Sequence, residues 1–579
     1  MKLKNIKYTA FVMLLGFGMT SCDSFLDKPV EDNYNTENYY DGDAACLSGV
    51  NYLYNSPWYD FQRGFIKIGE VMSGNMYWGS SPYMNFSTNG TDEDLVNMSY
   101  SLWAVIGHTS TVYESLLKAK NCSQKVQNQC LGECLTWKAM AYFYLVRTFG
   151  DVPIIHSNSE SLAKGDYNSL SKVDKADVYE YIVMTLEKAM ELLPKEKNTN
   201  GRIDYYGAEA LLAKVYLTKA GVSGSLNNDD LSKAAQYSKD VINNSGRNLM
   251  EHYADVFRGS NRFCDEILIA WRWAVSSQWT SQNTLQSDLA PEGFDENGDC
   301  WGGWGGPSVD LMEAFGVSPK DDPSKRLDKD TRRKATIMMA GDTYDYFWRD
   351  KTMSNGKKGF SYLQFWYDKD YNSAATGQCQ GPCGGNNVKN LYGDNEDHKA
   401  EFGTTPGRMA NDLPTPLLRL SDVYLIYAET QVLLGNPTDK LALECYNHVH
   451  GRGVNWVDPD KTTLTFDDIW KERRLELAGE GDRWYDYVRR AYYDADACIA
   501  ELKAQKRNAM WNCDDAYKKY FESGVWDSSK IEYDTNTPAP NVTKNSFTLP
   551  FPTEDVALNP NLGSNVPAVH VDVRSTYSY

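Results

Sequence analysis

The feature that most constrains this chain is a recurrence of apolar residues every three or four positions, cut off again and again by glycine or proline. From Val126 the positions Cys130, Cys134, Trp137, Ala141, Leu145 and Phe149 fall on one face of a long helix. Gly150 and Pro153 end it. Val178, Ile182, Val183, Leu186, Ala189, Met190 and Leu193 repeat the pattern up to Pro194. Ala208, Leu211, Leu212, Val215 and Tyr216 predict a third helix ending at Gly221, and Leu231, Ala234, Ala235, Ser238, Val241 and Ile242 a fourth. Far downstream, Val423 to Leu434 stops at Gly435 and is followed by Leu441 to Val449. Two of these pairs occupy about the 34 residues of a tetratricopeptide unit. The expected fold is mostly α: a scaffold of TPR-like helical hairpins with long irregular loops.

Those loops are the segments poor in helical period and rich in Gly, Asn and aromatics, at about 30 to 100, 250 to 310 and 340 to 412. Long loops inside a compact protein are usually functional, so the site is sought there. No Pro/Ser-rich linker divides the 579 residues, which predicts one body with two intertwined halves.

The first residues act as an address. Lys2, Lys4 and Lys7 precede a short apolar run, Phe11 to Met19, that closes on small residues and Cys22. The run is about half the ~20 residues a bilayer core demands, so residues 1–21 read as a cleaved signal peptide. Met19-Thr20-Ser21-Cys22 resembles a lipobox, which makes Cys22 the expected lipidated N-terminus and leaves the body in water at a membrane. Losing three lysines moves the net charge from −19 to −22, a surface that repels phosphate backbones and argues against nucleic acid.

Twelve cysteines less Cys22 leave an odd number, so at least one thiol stays unpaired. Cys379 and Cys383 sit in a Gly-rich loop and could close a small disulfide; zinc there would need two further ligands that the neighbourhood lacks. Cys130 and Cys134 read as core packing on a helical face.

Cys22 to Asp27, Ala139 to Pro153, Gly207 to Leu217, Pro307 to Phe315 with Arg326-Leu327, Arg419 to Asp422 with Ala428-Glu429, Glu472 to Asp486, and Leu549 to Pro552 with Asn559 to Leu562 are strings that, in this order, resemble the SusD/RagB family. His450 stands where the family usually has Arg, and Gln364 replaces a frequent Lys. The resemblance implies a SusD-like fold, with residues 22–250 as an N-terminal region bearing TPR-like helices. Residues 251–579 would be a C-terminal region carrying ligand-facing loops and further helices. It also implies an outer-membrane, lipid-anchored, surface-facing protein that binds a glycan and hands it to a SusC-like TonB-dependent transporter, without catalysis. No cofactor is implied.

Glu472, Arg473, Glu476, Glu480, Arg483 and Asp486 recur at helical spacing. Such a face supports ion pairs within and between helices. A catalytic carboxylate pair is the sharper alternative.

Aromatics form 13% of the chain, more than a Leu/Ala helical core needs, and many fall in the irregular segments: Trp58, Tyr59, Tyr77, Trp78, Tyr83, Trp279, Trp301, Trp304, Trp348, Trp366 and Tyr367. A sugar ring has an apolar C–H face and a polar edge, which flat aromatic surface beside polar side chains can bind. The same residues also serve as plugs pinning loops to a scaffold. Trp301 and Trp304 are favoured as ligand-facing because the glycines around them leave their faces bare, although those glycines also suit a turn. Tyr77, Trp78 and Tyr83 form a second candidate edge, and Trp279 a further position. Asp295 and Asp299 are spaced like the start of a calcium loop, but Gly306 takes the place of the closing Glu, so a solvated turn is expected, with structural calcium left open elsewhere.

None of the seven histidines belongs to a His-Glu-x-x-His pair, and neither a nucleophile elbow nor a phosphate loop is present. Besides glycan capture, two alternatives remain: a peptide-binding RagB-type uptake protein and a glycoside hydrolase.

Overall fold

The computed structural model describes residues 39–276 and 278–579. Cys22 and the signal segment lie outside the described residues. The long helices are α1 Glu93–Leu116, α2 Gln124–Phe149, α3 Lys175–Leu192, α4 Tyr205–Lys219, α5 Asn228–Asn244, α6 Leu420–Leu433, α7 Lys440–Gly453, α8 Phe466–Leu477 and α9 Arg483–Ala504. Each predicted helix is present. Side chains of Ser123, Asp174, Asp204, Asn227 and Asp439 accept backbone N–H groups at the starts of α2, α3, α4, α5 and α7. Gly435 closes α6 in the left-handed region at φ 83°.

Neighbours in sequence pack as hairpins, α1 on α2, α2 on α3, α3 on α4, α4 on α5, and α6 on α7. Helix α5 lies against α6, so the scaffold runs on across a gap of more than 170 residues of loops, strands and short helices. This is the TPR-like stack that the period predicted. The strands are short: β1 Met76–Tyr77, β2 Ile267–Trp271, β3 Gly306–Pro307 and β4 Thr415–Arg419 form the antiparallel pairs β1/β3 and β2/β4.

Two readings change. The period gave α2 a single apolar face, yet from Cys130 to Phe149 it is buried on every side, including Glu133, Lys138 and Arg147. Those charges are held: Glu133 accepts from Arg202 at 2.8 Å and from the Tyr54 hydroxyl at 3.0 Å, and Arg147 reaches Asp482 at 3.1 Å. Helix α1 was hidden in sequence because its buried face carries Ser99, Ser101, Thr109 and Ser110 among the apolar residues. Ser99 donates to Asp555 at 3.1 Å, Ser101 to the Pro57 carbonyl at 2.5 Å and Thr109 to the Val105 carbonyl at 2.8 Å, so these three hydroxyls are partnered.

The charged string 472–486 is not one helix. It breaks between α8 and α9 at Gly479 and Gly481, both at positive φ (83° and 70°). The break lets acids from one turn and both helices converge on arginines from elsewhere. Glu476 is fully buried and lies 2.9 Å from Arg419, 2.7 Å from Arg452 and 3.0 Å from Arg332. Glu480 pairs with Arg419 at 2.7 Å and Lys389 at 2.7 Å, and Glu266 with Arg452 at 2.7 Å. A second knot joins Arg473 to Asp422 at 2.6 Å and to Asp486 at 3.0 Å, with Arg489 on Asp486 at 2.9 Å.

Burial by itself raises the Glu476 carboxyl, but Arg452, Arg419 and Arg332 together outweigh it and hold it at about 2. A carboxylate so held is no general acid, and its three partners are the ion pairs expected of the string. Since the folded value is depressed below the ordinary 4.5, its contribution to stability is complete above pH 4.5 and is lost as pH falls toward 2. Glu476→Gln leaves three guanidiniums without their shared counter-charge. It should cost about 3–5 kcal/mol at neutral pH and flatten the acid limb of the stability curve, as read by denaturant unfolding across pH. Wild-type stability at neutral pH in the variant would contradict the role given to Glu476.

Candidate functional site

The ladder between β1 and β3 pairs Met76 with Pro307 and Tyr77 with Gly306. It sets Trp78 directly on Gly305, where an added Cβ would lie 2.4 Å from the indole ring. Gly302 is packed as tightly on the Asp288 carbonyl, 2.3 Å from where its Cβ would be. The glycines of 301–306 therefore serve close approach as well as exposure. Trp301 is fixed at both ends: its N–H donates to the Ser287 carbonyl at 2.9 Å and its indole Nε1 to Asp288 Oδ1 at 2.8 Å.

Trp78, Trp301 and Trp304 line one cleft of about 260 Å³, together with Arg63, Lys67, Asp94 and Asp288. Trp304 is 80% exposed and Trp301 39%, so open ring face is present. Lys67 Nζ sits 4.4 Å from the centre of the Trp78 ring and 3.6 Å from Asp94. Arg63 lies 3.4 Å from Asp288. Burial holds the Lys67 ammonium below its usual value and lifts the Asp94 carboxyl, while Asp288 raises Arg63. Indole faces are thus bordered by donors and acceptors that are already charge-paired, an edge fit for hydroxyl groups.

Sequence reasoning missed these four polar residues, although Arg63 and Lys67 stand four apart along a helical stretch. Arg63 is on the turn Gln62–Ile66 and Lys67 opens a π-helical turn, Lys67–Met72. Such turns are frequent at functional sites. Buried Glu70 ties this turn to the frame, accepting from Gly481 N at 2.7 Å and from Asn75 Nδ2 at 2.9 Å. Asn75 accepts in turn from Arg474 of α8 at 2.9 Å, and its carbonyl receives Ser308 N at 2.9 Å beside β3.

The remaining predicted residues fall elsewhere. Tyr83 is 1% exposed, and its hydroxyl donates to Asp92, the residue that caps α1. It is a plug, and its place in the candidate edge is corrected. Tyr77 is half-buried and lies toward Cys383 and Asp534, away from the cleft, as alternation along a strand requires. Trp279 is 59% exposed on the turn Trp279–Ser281, with Tyr59 at 6.1 Å between ring centres. That turn docks beside Arg63 through Gln62, which donates to the Gln282 carbonyl at 3.1 Å. Trp58, Trp348 and Trp366 are buried pins.

Cys379 and Cys383 are both buried free thiols, so no disulfide closes that loop. The expected solvated turn at 295–299 is also corrected. Asp295, Asp299 and Cys300 are buried, with ligand atoms within 4.8 Å of one another, and they are the described residues best placed to hold a cation. Burial, with Asp299 alongside, pushes Asp295 up to about 7.

A helical frame with its charges locked inside and an aromatic cleft on its loops defines a ligand-presenting scaffold. Comparison with known proteins gives it a family. The SusD family model matches residues 265–567, and a second, described as starch-binding associating with outer membrane, matches 48–217. A SusD-like protein of Bacteroides ovatus is 31% identical over 93% of this chain and 94% of its own length. A crystal structure with xylogluco-oligosaccharide superposes with a TM-score of 0.74 at 26% identity, covering 91% of this chain and 100% of that one. A laminarin-binding SusD-like protein shares the fold at a TM-score of 0.61 and 20% identity, over 90% of this chain and 98% of that one. The chain belongs to the SusD family.

Gly305→Val should displace the Trp78 indole and cost about 1–3 kcal/mol through overpacking. A crystal structure of the variant, with its melting curve, checks this; an unmoved Trp78 would contradict the contact.

Proposed function

We propose that this protein captures a glycan on the cleft formed by Trp78, Trp301 and Trp304. We further infer that it is anchored through Cys22 on the outer face of the outer membrane and passes the glycan to a SusC-like TonB-dependent transporter. The observation that carries the reading is the convergence of three tryptophans, from segments more than 200 residues apart, on one cleft bordered by Arg63, Lys67, Asp94 and Asp288. Sugar rings stack on such faces while their hydroxyls meet the charged border. Membership of the family supports the transporter partner, and the outer-membrane association described for the 48–217 match supports the location. The signal and Cys22 supply the anchor in this reading.

A hydrolase reading has one observation in its favour, since Asp94 and Asp288 share the cleft. Both are engaged, however: Asp288 by the Trp301 indole and Arg63, and Asp94 by Lys67. Binding without catalysis accounts for these pairs.

Affinity electrophoresis against xyloglucan, laminarin and starch tests the proposal, with xyloglucan first because a relative's structure was solved with its oligosaccharide. Retardation by at least one polysaccharide is expected, weakened about tenfold or more, about 1.4 kcal/mol, in Trp304→Ala and in Trp78→Ala. Retardation unchanged in both variants would remove the cleft from the account. Binding of a protein digest alone would favour peptide capture, and released reducing ends a hydrolase.

A further inference from the structure

A second and larger cavity, about 560 Å³, opens beside the β2/β4 pair and is lined by Arg202, Arg262, Phe263, Arg272, Phe402 and Asp412 among others. Its volume is in the ~300–1,000 Å³ range of small-molecule sites. Its cations outnumber its acids. Arg202 is neutralised by Glu133, to which its Nε and Nη2 donate at 2.9 and 2.8 Å. Asp412 is the acid of the lining and accepts from Val275 N and from the Thr404 hydroxyl, each at 2.8 Å, without an ion pair to either remaining arginine.

Arg262 and Arg272 have no carboxylate within ion-pair distance among the described residues. The Arg272 side chain makes one hydrogen bond there, from Nη1 to the Arg262 carbonyl at 2.5 Å, and its Nε is buried without a partner. The carboxylate of nearby Glu401 is committed to Arg349 at 2.9 Å and to Gly259 N at 2.5 Å. Phe263 carries both guanidiniums, with Arg262 4.9 Å and Arg272 5.4 Å from its ring centre, and is itself 45% exposed.

Burial lowers Arg272 to about 10, and the like charge of Arg262 adds to the effect. Arg332, Arg419, Arg473 and Arg489 each hold carboxylates; Arg507, which has none, donates to the carbonyls of Val71, Met72 and Met84 and, like Arg272, leaves its Nε without a partner, while Arg262 donates to the Gly259 carbonyl at 3.1 Å. A guanidinium that borders a cavity without a carboxylate keeps donors for an anionic ligand.

We propose that this cavity binds the carboxylate of an acidic sugar residue, held by Arg272 and Arg262, with its ring against Phe263. The assignment rests on the glycan-capture reading and names a charged substituent that the tryptophan cleft does not select. The two regions are neighbours in the chain, since Ala274 of the cavity donates to Ser281 in the turn that carries Trp279. An oxyanion alone would need the guanidiniums but neither the volume nor the exposed ring face.

Isothermal titration of the purified protein with D-glucuronate and D-galacturonate, against D-glucose, D-galactose and sulfate at equal low ionic strength, tests this. Both titration and variants avoid dependence on the glycan backbone. At least one uronate should bind at least tenfold more tightly than its neutral counterpart and than sulfate. Arg272→Gln and Arg262→Gln should each abolish that preference while keeping the wild-type melting temperature within a few degrees. Uronates binding no better than neutral sugars, or a preference that survives in both variants, would overturn the proposal. Sulfate binding as tightly as uronate, and as dependent on Arg272, would reduce the cavity to a free-anion site and overturn the sugar assignment. Failure of the cleft reading is separate: it appears as polysaccharide retardation insensitive to Trp78→Ala and Trp304→Ala, whatever the uronates do.

Discussion

Glu476, shared by three buried arginines, is the interaction on which the arrangement of this molecule turns. Its partners come from distant parts of the chain: Arg332 from the start of the short helix Arg332–Thr336, Arg419 from the end of β4, Arg452 from α7. A buried carboxylate with three guanidiniums is tolerable only when all are in place, so the cluster selects one relative placement of those elements. The turn Gly479–Gly481 leaves this cluster and passes its position on. Gly481 N holds Glu70, Glu70 holds Asn75, and Asn75 receives Ser308 beside the strand pair that sets Trp78 on Gly305. An indole at the surface thereby inherits its position from charges in the core.

The acids and bases of the scaffold and those of the cleft have different tasks. In the frame, every donor of Arg419 that bonds does so to a carboxylate, hydroxyl or carbonyl of the protein itself, and nothing is left for a ligand. In the cleft, Arg63 is half exposed and Lys67 lies on a tryptophan ring, so each keeps part of its capacity at the surface. Apolar ring faces supply contact area, and paired charges supply direction at little further desolvation. Rigid tryptophans on glycine-lined backbone lose little freedom when a ligand arrives, which favours binding over induced rearrangement.

The helices were legible because period and punctuation agree: Phe149 before Gly150, Leu434 before Gly435, Leu193 before Pro194. Helix α1 was not, since buried Ser99 and Ser101 break an apolar stripe that only their hydrogen bonds explain. In the candidate cleft, the exposure of Trp301 and Trp304 was legible from the flanking glycines, whereas Tyr83 looked like Trp78 in sequence and proved to be a plug on Asp92. Nothing in a linear pattern tells an exposed loop aromatic from one turned inward, because the difference lies in what packs above it. Arg63, Lys67, Asp94 and Asp288 were out of reach for a related reason: they are brought together by tertiary contacts between segments, and their spacing along the chain carries no trace of the cleft.

A preformed frame that offers open tryptophan faces to sugar rings, as proposed, should hold them without moving and without cleaving them. A crystal structure of the protein with an oligosaccharide that it retains, set beside the unliganded crystal, tests it most directly. Sugar rings should lie parallel to the indoles of Trp78, Trp301 or Trp304 at contact distances of about 3.5–4.0 Å, intact, with the helical backbone unmoved within about 1 Å. A ligand seated away from those rings, a cleaved ligand, or tryptophans that reach it only after the helices shift would contradict the claim.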